Sequence, residues 1–161
     1  MASPASVKKH PIHTMLVPIP IGLLVFSLVS DLIYAMGGGS VWNDVAFFTM
    51  AGGIVGALLA AVPGLIDLLS LTGPARKIGL WHMSLNLIVV AMYAINLWLR
   101  LNGAGPDWLP ITMSVAAVAL LCVSGWLGGE LVYVRGIGVE PQPQQPDIGS
   151  PTQDRGARRV A

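Results

Sequence analysis

Charged side chains are scarce in this chain: Asp, Glu, Lys and Arg make up 11% of its 161 residues, against about 25% in soluble globular proteins. That deficit excludes a water-soluble domain with an ordinary charged surface. It also argues against a nucleic-acid-binding module, because neutralising phosphates needs clustered Lys and Arg, and the few basic residues lie beside apolar runs or in the C-terminal tail. Cysteine is rarer still. Cys122 stands alone in an apolar run, so the chain can form no internal disulfide and no cysteine-based zinc site, and the residue reads as a small core side chain. The sequence lacks an H-E-x-x-H motif, a phosphate-binding P-loop, a dinucleotide fingerprint and a nucleophile elbow. Their absence removes the enzyme classes built on them and favours an electron-transfer or structural role over catalysis.

Apolar residues are abundant, at 54% with a mean hydropathy of +0.70. They fall into four runs, each near the about 20 residues needed to cross a bilayer as a helix. The spans cover about residues 14–36, 42–71, 80–100 and 110–134, between a polar lead (1–9) and a Pro-, Gln- and Gly-rich tail (140–161) that reads as disordered. The first run is read as a retained span and not a secretory signal, because it is long, contains Pro18, Pro20 and Asp31, and ends YAMGGG without a small-x-small cleavage pattern. The prolines leave open whether its helix begins near Thr14 or at Pro18. In the second run Gly52, Gly56, Ala60 and Gly64 recur every four residues, a stripe that admits a close neighbour. Pro63 is expected to kink that helix and free the carbonyl of Leu59. TGPARKIG, residues 72–79, reads as a basic loop, and Gly136 as the stop of the fourth helix.

The pattern predicts an all-α, integral membrane four-helix bundle running up-down-up-down. Lys8, Lys9, Arg76, Lys77, Arg135, Arg155, Arg158 and Arg159 then share one side and only Arg100 lies on the other. The positive-inside rule places both termini in the cytoplasm, and anionic lipid accounts for the basic edges. No row of polar residues crosses the middle of the spans and no second half related by repeat is evident, which disfavours a transporter or channel, although an oligomer could supply a pore.

Threading the helices gathers ionisable residues at one level. His13 opens span one, His82 opens span three, Asp67 closes span two and Glu130 closes span four, with His10 just outside. Such residues are costly in a membrane and turn toward partners. His13 and His82 could ligate a haem b iron from two sides, or the set His10, His13, His82, Asp67 and Glu130 could hold zinc or non-haem iron. Equally, these residues could only orient helices, with no cofactor bound. At the opposite end, Asp31 follows His13, and Arg100 follows His82, by five turns of helix at 3.6 residues per turn. An Asp31 to Arg100 contact is expected there. Asn86, one turn from His82, is a further structural polar residue.

HPIH with VPIPIGLLVFSLVSDLIY, AAVPGLIDL, WHMSLNL and GGELVYVRGIGV, in that order, resembles the bacterial membrane proteins grouped as domain of unknown function 2231, over residues 10–139. The resemblance implies a four-span protein of the bacterial inner membrane, sometimes joined in one chain to cytochrome c or Rieske-type redox domains. It singles out His10, His13, Asp31, Asp67, His82, Asn86 and Glu130. The expectation is a redox-associated subunit with a redox protein or membrane complex as partner; the alternative is a structural or assembly protein.

Overall fold

The structure, a computed structural model, describes residues 3–106 and 108–139; the tail read as disordered lies outside them. Helices α1 (Ile12–Leu16) and α2 (Pro18–Ala35) form the first span, α3 (Val41–Ser70) the second, α4 (Gly73–Asn102) the third, and α5 (Trp108–Gly129) with a π-helical turn (Glu130–Val134) the fourth. Val17 keeps α-helical dihedrals and its N–H bonds the His13 carbonyl at 3.0 Å, so the helical path passes through the prolines. The first span therefore starts before both candidate positions, and His13 lies on helix.

The burial pattern is that of a lipid-facing bundle. Phe48, Trp81, Trp98 and Trp126 are exposed on its outside, while Ser27, Ser30, Asp31, Asn96, Ser114 and Ser124 are buried within. Leu24, Met50, Val89, Tyr93 and Ala117 form the apolar centre. Hydrocarbon is as apolar as Leu, so helices associate through close packing of small residues and internal hydrogen bonds. Cys122, expected in the core, is exposed on the outer side of α5.

The basic segment 72–79 is not a loop. Only Leu71 and Thr72 separate α3 from α4, which starts at Gly73 with Pro74 in its first turn, where the missing N–H costs nothing. Nor is the N-terminal lead featureless. Strands β1 (Ser6–Val7) and β2 (His10–Pro11) pair antiparallel across Lys8 and Lys9, both at positive φ. Ser3 Oγ and the Ala5 N–H donate to Asp67 Oδ1 at 2.6 and 3.1 Å, strapping the lead to the end of α3. Hydrogen bonds to a charged group contribute about 1.5–3 kcal/mol each, less where water competes. Asp67→Ala is expected to free this strap and leave the bundle intact. Hydrogen-exchange mass spectrometry should then show faster exchange at Ala5 and Ile12 with little change in the unfolding midpoint; unchanged exchange would refute the latch.

The small-residue stripe of α3 faces the first span. A Cβ on Gly52 would lie 3.4 Å from Leu23, one on Gly56 3.4 Å from Pro20 and one on Gly64 2.7 Å from His13, and beside the stripe one on Gly53 would lie 2.5 Å from Leu24. Contacts also reveal a repeat. Adding 69 to positions 13, 24, 27 and 31 gives 82, 93, 96 and 100, and adding 64 to 46, 60 and 64 gives 110, 124 and 128. Matched residues make matched bonds. His13 Nδ1 bonds the Ala60 carbonyl and His82 Nδ1 that of Ser124, each at 2.8 Å. Ser27 Oγ donates to the Ala46 carbonyl at 2.8 Å and Asn96 Nδ2 to that of Pro110 at 2.7 Å. Within each hairpin the two helices pack closely, while α3 meets α4 and α2 meets α5 between hairpins. What recurs is this set of bonds, which puts the two helix pairs in an approximate two-fold relation about an axis between them, while the expectation that no sequence repeat relates the halves is left standing. Few side chains are shared between the halves in this register, so the repeat lies in roles and not in letters.

Candidate functional site

Spans one and three stand diagonally across the axis and meet at both its ends. At one end the His13 and His82 rings face each other with centroids 6.4 Å apart and planes at 88°. Gly64 makes room for His13, and a Cβ on Gly128 would lie 3.2 Å from His82 Cε1, so two glycines seat two rings. A carbonyl can only accept, so each Nδ1 carries a proton, and Nε2 is the ring nitrogen left to meet other partners. The carbonyl that Pro63 was expected to free, that of Leu59, is not the one used; His13 takes its neighbour Ala60.

His82 is held more heavily than His13. Ser124 Oγ lies 3.0 Å from its Nδ1 and donates to its carbonyl at 3.3 Å, while Asn86 Nδ2 donates to its Nε2 at 3.2 Å and to its carbonyl at 2.9 Å. Among the described residues, His13 has only the Ala60 bond on its ring.

The remaining residues of the expected ligand set lie in other groups. His10 is exposed, with Nδ1 2.9 Å from the Lys8 carbonyl. Asp67 receives the strap, and Glu130 pairs with Arg135 at 3.3 Å. No group of three or more His, Cys, Asp or Glu able to hold a metal forms among the described residues. A five-ligand centre is therefore not assembled; proximity to one end of the bundle brought five residues to one level without turning them to one point.

At the other end of the axis Arg100 Nη2 donates to Asp31 Oδ2 at 2.7 Å, the pairing expected from the equal spacing. Asp31 is 2% exposed. Arg100 Nε donates to Asn96 Oδ1 at 2.9 Å, Asn96 Nδ2 to Ser114 Oγ at 2.9 Å, and Ser114 Oγ lies 3.5 Å from Asp31 Oδ2, closing a ring of four side chains. Midway, Tyr93 OH donates to the Leu24 carbonyl at 3.0 Å. Ser114 and Tyr93 carried no functional signal in the sequence. Asn96 did carry one: it stands one turn before Arg100, at the spacing that lets two helical side chains meet.

These features define an integral membrane helix bundle with four spans, a histidine pair at one end of its axis and an ion-pair network at the other. Residues 9–141 match the family described as predicted membrane protein, domain of unknown function 2231 (DUF2231), and the chain belongs to that family. No curated protein and no solved structure matches it.

Proposed function

We propose that the His13–His82 pair is a cofactor-binding centre and that the protein is a redox-associated subunit of the bacterial inner membrane, with both termini in the cytoplasm. The observation that carries this reading is the pair itself: two imidazoles, each oriented by a carbonyl on the neighbouring helix, with centroids 6.4 Å apart. Metal–nitrogen bonds of about 2 Å on either side of one ion put two imidazole centroids about 6 Å apart. A ring N–H bonded to a carbonyl is also how ligating histidines are commonly oriented. Two imidazoles make the full protein ligand set of a haem b iron and half that of a tetrahedral zinc or iron ion, with His13 and His82 as the ligands. Bound haem would supply one-electron transfer; the chain's own part is to fix both rings through their Nδ1 bonds to carbonyls. The excess of Lys and Arg on the side of the termini supports the orientation.

The purified protein is expected to show a Soret band with sharp bands on reduction, or bound metal by elemental analysis, lost in His13→Ala and His82→Ala. A colourless, metal-free preparation whose variants behave like the parent would instead establish the structural or assembly role. One observation favours that second reading: the two Nδ1 bonds tie α1 to α3 and α4 to α5, a stapling function that needs no cofactor.

A further inference from the structure

We infer that Asn86 is a gate on the histidine pair: it occupies the lone pair of His82, so a metal-bearing ligand engages His13 first and reaches His82 only when Asn86 turns away. The inference rests on the cofactor reading above. Its warrant is the departure of the two hairpins from their two-fold relation. The position matching Asn86 is Val17, and the position matching Ser124 is Ala60. Neither Val17 nor Ala60 has a polar side-chain group, and both differences fall on the same histidine.

No buried polar side-chain atom among the described residues lacks a hydrogen bond. His13 Nε2 makes none to a described residue, so it is the open nitrogen of the pair. The corresponding nitrogen of His82 faces the Asn86 amide at 3.2 Å. A metal ion needs that lone pair, and it must compete with the amide N–H to obtain it. Asn86 also donates to the His82 carbonyl one turn back, and that bond anchors it at the base of the ring. Asn86 is therefore a positioning residue. It holds the His82 ring in its seat over Gly128 and yields when a ligand engages the pair.

The test uses full-length protein labelled with 15N-histidine in lipid nanodiscs, with Zn²⁺ as the probe and Asn86→Val as the variant, since valine is the residue at the matched position. In the parent, the ring-nitrogen signals of His13 should move at lower Zn²⁺ concentration than those of His82. In Asn86→Val the two should move together, with half-saturation about fivefold to tenfold lower, the effect of removing one competing hydrogen bond. If both rings move together in the parent and the variant has unchanged half-saturation, the gate is refuted while the two-histidine centre stands. If Zn²⁺ moves neither ring in either protein, the gate is refuted and the single-ion form of the cofactor reading with it, while the haem form stands or falls on the Soret band. The metal-free spectra separate that case from a misplaced asparagine, because His82 Nε2 must lose its hydrogen-bonded shift in Asn86→Val if Asn86 holds it.

Discussion

Arg100→Ala is expected to destabilise the protein by about 3–5 kcal/mol, the usual cost of leaving one member of a buried ion pair without the other. The carboxylate left behind is 2% exposed and keeps only a 3.5 Å contact with Ser114, while Asn96 Oδ1 loses its donor. Asp31→Ala should cost a similar amount, since it strands the guanidinium. Replacing both by leucine should recover a large part of the loss, because a matched apolar pair needs no counter-charge. Unfolding in mixed micelles, followed by tryptophan fluorescence, checks all three. Single variants within about 0.5 kcal/mol of the parent, the range of ordinary surface substitutions, would show that the pair is not structurally coupled.

Gly53→Val should be the next most damaging substitution. A Cβ at this position would lie 2.5 Å from Leu24 Cδ2, 2.7 Å from Leu24 Cγ and 3.3 Å from the Leu24 backbone nitrogen. The leucine could rotate, but the main chain cannot, so α2 itself must move away from α3. Overpacking of this kind typically costs about 1–3 kcal/mol, and here it would also strain the Tyr93 bond to the Leu24 carbonyl. Gly22→Ala is the control. Nothing lies within 4 Å of its added Cβ, and exchanging Gly for Ala inside a helix is favourable by about 0.5–1 kcal/mol. Melting curves of the two variants should therefore move in opposite directions; equal shifts would mean that close approach at Gly53 does not set the helix spacing.

Span number and rough span position were legible because bilayer thickness dictates a length and hydrocarbon dictates a composition, and both are written residue by residue. The Asp31–Arg100 pair was legible for a related reason: equal spacing from two histidines survives as long as the helix is unbroken, and Val17 preserves it. What could not be read was direction within a level. Asp67 and Glu130 lie toward the histidine end, yet one takes the N-terminal strap, more than 60 residues away in the chain, and the other takes Arg135, five residues on. The repeat was hidden for another reason. Carbonyl acceptors belong to every residue, so Ala60 can match Ser124, and Ala46 can match Pro110, with no shared side chain to reveal it.

The ion pair across the axis has a bearing on which partners a hairpin will accept. Helices that resemble one another are prone to exchange between molecules, and a first hairpin meeting another first hairpin would set Asp31 against Asp31. Two second hairpins would oppose Arg100 to Arg100. Both mismatches bury like charges in a medium that screens them poorly. Only the unlike combination is neutral, so a single carboxylate and a single guanidinium suffice to make the hetero-pairing of the two halves self-enforcing.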